Sequence, residues 1–365
     1  MIKRIILPAL LLLLMTTNCK DLHVGTIIKD NGSIHRTYRI EKEWQSSRPI
    51  NTETPIANRK TIRREIANSL LPLDTTWERQ QSIDTTKHTT TISYTKQFEN
   101  WQQIQKCYDT ATYLFRPTNP KIEVTKSQRL IKTRFSYTEH FRPVFRGVDY
   151  KTFFTATEIQ LIRNGEMDKS DSLELKFQKW VAYCIINEIA ELATNASGTN
   201  PLIEIWKTKM FGKIEFAAQQ GNPTKDNTLS MSPFENDYND MNITDTEYLI
   251  SSIENATNVN LSEKAKQTIQ YTLNPKIELY ISLLMSNITF SVKMPGEAVS
   301  SNADSIVGNI AYWKLDPFIL GAPVTMEFTS EKKSPATAIA LGAALLSALL
   351  GWSVWKKRKK TPPQK

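Results

Sequence analysis

Ile288, Phe290, Val292 and Met294 alternate with Thr289, Ser291 and Lys293, and this period of two predicts a half-buried β-strand. Pro295 and Gly296 punctuate its end, residues 309–315 read as a second strand, and Val324, Met326 and Phe328 alternating with Thr325, Glu327 and Thr329 give a third. At the front, Leu22, Val24 and Ile28, then Ile34, Tyr38 and Ile40, flank the turn segment 29–33. Its Asn31-Gly32 pair predicts a hairpin. Ile92, Tyr94 and Phe98 suggest a further strand, as do residues 122–125 and 130–137.

The middle changes period. Residues 172–194 carry Leu173, Phe177, Trp180, Val181, Cys184, Ile185, Ile189 and Leu192 at helical spacing, with Ser170 or Asp171 able to cap the start. Shorter helical patterns follow over 201–219, 245–256 and 262–273, separated by a polar stretch over 221–240 that reads as a loop. Residues 51–63 and 330–335 read as connections. Strands, then helices, then strands predict an α+β fold, with a mostly antiparallel sheet made from the N- and C-terminal strands. The sheet core is assigned to residues 19–145 and 276–330, and a helical insertion to 146–275.

Both chain ends look like membrane devices. Lys3 and Arg4 precede an apolar run over 5–15, then small polar residues lead to Cys19, so residues 1–18 read as a signal peptide. Cys19 sits where a bacterial lipoprotein leader presents the residue that is acylated. Thr16 and Asn18 depart from the usual leucine and small residue of that pattern, which leaves ordinary cleavage nearby as the alternative. Residues 336–355 carry no charge, and twenty residues at 1.5 Å rise match a hydrocarbon core of about 30 Å, which predicts a C-terminal transmembrane helix. The basic tail 356–365 would then be cytoplasmic. These readings place the body, 19–335, outside the cytoplasm of a bacterial envelope, on a single-pass inner-membrane protein anchored by the helix and by an acyl chain at the same face.

Charge excludes one class of partner. The formal net charge is +9, of which Lys3 and Arg4 carry +2 and the tail +6, leaving +1 for the body. A body that close to neutral lacks the field that drives phosphate-backbone binding, so nucleic acid is not expected. The remaining cysteines, Cys107 and Cys184, are expected as buried thiols, although their pairing stays open. Cys184 lies within an apolar helical run, where cysteine acts as a small hydrophobe.

The closing segment, Phe290 to Val299 with its Met294-Pro295-Gly296, then Ser301-Asn302-Ala303, Gly308-Asn309 and Trp313-Lys314-Leu315, resembles the signature of the LppM-like family of bacterial lipoproteins. The front turn Asp30-Asn31-Gly32-Ser33 and the stretch Arg134-Phe135-Ser136-Tyr137-Thr138-Glu139 are similar to members from the Bacteroidetes. The resemblance implies an extracytoplasmic α/β domain that holds lipids or glycolipids against a curved sheet, and it brings no catalytic residues. The helical middle departs from the compact family domain.

Enzyme signals are thin. His23, His35, His88 and His140 lie in no metal-ligand spacing, and no nucleophile elbow, dinucleotide fingerprint or phosphate loop occurs. Glu139 beside His140 is the nearest approach to a catalytic pair, but neighbours in a strand point to opposite faces. The expectation is a non-catalytic membrane protein with no cofactor or metal. Phe290, Val292, Met294 and Trp313 on the sheet against Phe177 and Trp180 on the long helix are the candidate lining of a lipid cavity, although the same residues serve equally as ordinary core. The alternative function is an envelope scaffold that docks partner proteins through the helical middle.

Overall fold

The computed structural model describes residues 19–43, 71–110, 113–129, 132–197, 201–220, 243–333 and 335–358. The leader 1–18, the connection 51–63, the polar loop 221–240 and the tail beyond 358 lie outside the described residues.

Two sheets face each other across one hydrophobic core. The hairpin forms as its turn demands: β1 (Cys19–Ile28) pairs with β2 (Ile34–Glu43), and the Lys29 amide bonds the Ser33 carbonyl at 2.8 Å while Gly32 takes φ +87°. The larger sheet adds β3 (Glu78–Asp84), β4 (Thr89–Phe98), β7 (Asn287–Lys293), β9 (Ser305–Val307) and β10 (Ile310–Lys314), in the order β3-β4-β2-β1-β7-β10-β9. The smaller sheet comprises β5 (Lys121–Gln128), β6 (Lys132–Phe141), β8 (Glu297–Ser301) and β11 (Val324–Lys333), in the order β5-β6-β11-β8.

This corrects the expectation of one mostly antiparallel sheet. The join between front and closing strands is parallel, Asp21 opposite Asn287 through Ile27 opposite Lys293, so the larger sheet is mixed. Parallel neighbours need a long crossover, and here the second sheet and the whole helical layer supply it. The closing strands also divide: β7, β9 and β10 join the larger sheet, while β8 and β11 join the smaller.

Helices fill the middle. After α1 (Trp101–Thr110) come α2 (Tyr150–Phe153), α3 (Ala156–Asn164), α4 (Asp171–Ser197), α5 (Pro201–Gln220), α6 (Thr246–Thr257) and α7 (Glu263–Met285). Their starts follow capping chemistry. Thr155 and Glu158 form a capping box on α3, Asp245 accepts from the Glu247 and Tyr248 amides on α6, and Ser262 accepts from Ala265 on α7. The central helix is α4, with Trp180, Val181, Ala182, Cys184, Ile185 and Ile186 all sealed from solvent. Both α5 and α7 pack on it, and α6 bridges them. The last helix continues through Pro275 to Met285, beyond the expected end. A proline in a helix removes one donor, and packing against α4 carries α7 past it.

The C-terminal expectation also changes. A helix forms over α8 (Pro335–Arg358), but no helix among the described residues is long and apolar enough to cross a membrane. Much of the uncharged run is Ala, Gly, Ser and Thr, which contribute far less apolar surface than the leucines between them.

Nor do the two chain ends share a face. Strand β1 starts at Cys19 and runs toward the 29–33 turn; nine residue steps at about 3.3 Å make roughly 30 Å. Strand β11 also runs toward that turn, since Lys332 near its end pairs with Asp30 at 2.6 Å. Cys19 and the start of α8 therefore lie at opposite ends of the sandwich.

Candidate functional site

The six side chains expected to line a lipid cavity are all buried in the one hydrophobic core, where they fall into two aromatic clusters. Phe290, Val292 and Met294 point from β7 into the sandwich. Phe290 meets Phe141 of β6 at 5.7 Å between ring centroids and Phe115 at 6.2 Å. Trp313 lies opposite Phe290 in the ladder and donates its indole N–H to the Asn302 side chain at 3.0 Å. Phe177 and Trp180 belong to the other group, around Phe318 of the turn Pro317–Leu320. Phe318 stacks on Tyr150 at 4.2 Å and meets Phe154 and Trp180 at 5.6 Å each and Phe177 at 6.3 Å. The two groups share no ring contact among the described residues.

The second group is the hinge between sheet and helices. The 142–149 segment bonds the turn through Val144 N–H to the Ile319 carbonyl (2.9 Å) and Phe145 N–H to Leu320 (2.8 Å), and Trp180 donates to the Val148 carbonyl at 2.8 Å. Glycines allow the approach. A Cβ on Gly321 would stand 2.6 Å from the Trp180 ring, and one on Gly147 would stand 2.7 Å from Gly321.

The most concentrated chemistry lies inside the sandwich, at a position the alternation reserves for apolar residues. Arg36 occupies the inward site between Ile34 and Tyr38 on β2, and Glu139 the inward site between Tyr137 and Phe141 on β6. They form an ion pair at 2.9 Å with side chains 2% and 1% exposed. Arg36 also donates to the Tyr108 hydroxyl at 2.6 Å and to Thr26, while Tyr108 (2.8 Å) and Tyr137 donate to the two Glu139 oxygens. Burial pushes the Tyr108 and Tyr137 hydroxyls well above the usual phenol range. Both remain neutral donors. The cluster ties both sheets and α1 together, its carboxylate is saturated, and both side chains of the ion pair are sealed from solvent. A charge of each sign at an inward position of two alternating strands was the signal available in the sequence.

Glu139 and His140 diverge as strand geometry requires. His140 faces outward to the Thr325 hydroxyl at 2.8 Å. His23 faces outward from β1 between Thr289 and Ser291, at 3.0 Å from each hydroxyl. Burial, then the charges of Arg39 and Arg36, lower its pKa. Among the described residues, no group of three or more His, Cys, Asp and Glu side chains is placed to hold a metal ion.

Two clefts open on the surface. The larger, about 620 Å³, opens between the 142–149 segment, α4 and α5 and is lined by Arg146, Asn187, Glu191, Thr194, Glu204 and Lys207 among others. Beneath it, buried Glu188 accepts from the Arg146 amide (2.8 Å) and pairs with Lys276 of α7, which fixes the cleft floor. Leu202 and Ile205, on the same turn of α5 as Glu204, are exposed. The smaller, about 460 Å³, lies at the 29–33 turn against Lys293, Met294, Pro295 and Asn309.

Cys19 is the first residue of β1. Cys107 and Cys184 are free thiols, and burial pushes the Cys184 thiol up to about 12. Because the thiolate is the reactive form, a maleimide applied to the native protein is expected to leave Cys184 unmodified and to label it fully in guanidinium. Mass spectrometry of the peptides reads the difference, and rapid native labelling at Cys184 would contradict its burial.

No family model matches the sequence, and no curated protein matches it. Among solved structures, the NMR structure of the folded domain of Mycobacterium tuberculosis LppM is similar to 88% of this chain over 94% of its own length, with 8% identity and a TM-score of 0.26. A likeness at that level fixes neither fold nor activity, so the chain's resemblance to the LppM-like family rests on the sequence segments given above.

Proposed function

We propose that the chain is an exported, non-catalytic lipoprotein of a bacterial envelope, attached through acylation of Cys19, whose body works as an interaction module. The observation that carries this reading is the leader pattern itself, in which Lys3 and Arg4, the apolar run over 5–15 and small polar residues present Cys19 for acylation.

The preference for an interaction module over an enclosing lipid carrier is supported by how the candidate cavity residues are used. Phe290, Val292 and Met294 fill the sandwich together with Arg36, Glu139 and their tyrosine partners, and Phe177 and Trp180 fill the hinge. A carrier needs a cavity of several hundred Å³ with mostly apolar walls, whereas the larger cleft is an open, charged surface feature. The helical layer, where Leu202 and Ile205 of α5 are exposed, offers the docking surface.

Labelling with a fatty-acid analogue tests the attachment. The full chain expressed in a bacterium with a lipoprotein pathway is expected to take up label, and Cys19→Ser is expected to lose it completely. Label retained by Cys19→Ser, or absent from the parent chain, would refute the assignment.

A further inference from the structure

The body is nearly neutral overall, yet its charge is not evenly spread. The end of the sandwich at the 29–33 turn gathers cations from both sheets. Lys126 of β5 donates to the Asp30 carbonyl and Lys332 of β11 pairs with the Asp30 carboxylate, each at 2.6 Å. Lys29 and Lys293 line the cleft beside them. Across β11, Glu331 pairs with Lys132 at 2.8 Å and lies opposite Arg134 in the ladder, while Arg129 closes the β5–β6 turn onto Lys132. With Lys333 this end holds eight cations among the described residues, against the acids Asp30, Glu99, Glu297 and Glu331. Lys29, Lys126 and Lys293 stand exposed.

Apolar side chains are interleaved with them. On the outer face of the larger sheet the register sets Ile27 opposite Lys293, Lys293 opposite Ile310 and Ile310 opposite Val307; Ile27 is 46% exposed and Val307 65%. The chain then leaves β11 at this end and enters α8, whose Leu345, Leu346, Leu349, Leu350 and Trp352 are all exposed.

We propose that this end of the sandwich docks on an anionic lipid surface, with the lysines around the turn meeting phosphate headgroups and Ile27 and Val307 resting among them. Basic residues held within a Debye length of an anionic leaflet are attracted to it, and apolar groups beside them gain from burial at the headgroup boundary. A nucleic acid would satisfy the cations but would leave the exposed leucines, Ile27 and Val307 without cover. The proposal does not rest on acylation of Cys19, which lies at the opposite end of β1, so the two attachments address one bilayer only when the strands lie along it.

The test uses the full chain carrying Cys19→Ser, so that no acyl chain contributes, floated with vesicles of phosphatidylcholine alone or mixed with phosphatidylglycerol. Binding is expected to be at least tenfold stronger to the anionic vesicles and to fall toward the neutral level in 0.5 M salt. The triple variant Lys29→Glu/Lys126→Glu/Lys293→Glu is expected to lose about tenfold or more, while Lys209→Glu/Lys213→Glu/Lys264→Glu on the helical layer keeps the parent affinity. If the triple variant fails to fold, Lys293→Gln, which only neutralises an exposed charge, is expected to weaken anionic binding by a few-fold. Equal binding to both vesicles would overturn the proposal, as would an undiminished affinity of the triple lysine variant, which would leave the basic tail 356–365 as the source of the anionic preference. So would an equal effect of the helical-layer variant, or tighter capture of a DNA oligonucleotide than of anionic vesicles.

Discussion

Arg36→Met is expected to cost about 3–5 kcal/mol of folding stability, because it leaves the Glu139 carboxylate buried without its counter-charge. Two tyrosine hydroxyls still donate to Glu139 in the variant, but neither carries charge. The double variant Arg36→Met/Glu139→Leu is expected to recover only part of the loss, since it removes the unpaired charge but leaves the buried Tyr108 and Tyr137 hydroxyls without their acceptor. Denaturant midpoints at constant slope read both values. A single-variant cost below about 1 kcal/mol would mean that water reaches the pair and that the sandwich interior is open.

Trp180→Ala is expected to cost a comparable amount, about 3–5 kcal/mol. The indole is fully buried, packs edge-on against Phe154 and Phe318, and donates the hydrogen bond that holds the 142–149 segment. Its loss opens a cavity where sheet, turn and helical layer meet, beside two glycines whose backbones pack too closely to collapse further. Trp180→Phe keeps part of the volume and is expected to lose less. Thermal midpoints would show both, and an alanine variant as stable as the parent would mean that the hinge is not a packed joint.

Much of the local structure was legible because local chemistry decides it. Asn31-Gly32 specifies the front hairpin, the spacing from Leu173 to Leu192 specifies α4, and the Ile288 to Met294 alternation specifies β7. Elements on the rims were not. The edge strand β3 reads Glu-Arg-Gln-Gln-Ser-Ile-Asp, polar on both faces, and forms because β4 offers it a free ladder. Strands β8 and β9 occupy two of the other three edges and are mostly exposed, so they read as loop, and α1 buries only Ile104 and Tyr108. The parallel pairing of β1 with β7 joins residues 266 apart in sequence, such as His23 and Thr289, and no local pattern encodes it. That pairing, with the course of β11, sends the two chain ends to opposite ends of the body.

The candidate lining of Phe290, Val292, Met294, Trp313, Phe177 and Trp180 was legible as a set of buried residues but not as a site. Periodicity reports which side chains face inward; it does not report whether what they face is a partner side chain or a cavity. Arg36 and Glu139 hid for the converse reason. Each is a charged residue in an inward register, and its meaning appears only when the facing strand brings the opposite charge.

Native mass spectrometry of the full chain, extracted from a bacterial envelope in mild detergent, tests the central claim most directly. The account expects the mass of the polypeptide beginning at Cys19 plus its covalent acyl groups, with no further stoichiometric amphiphile, because the sandwich and the hinge are filled by the protein's own side chains. A lipid or glycolipid retained at one per chain after detergent exchange would contradict that filled interior and make the body a carrier.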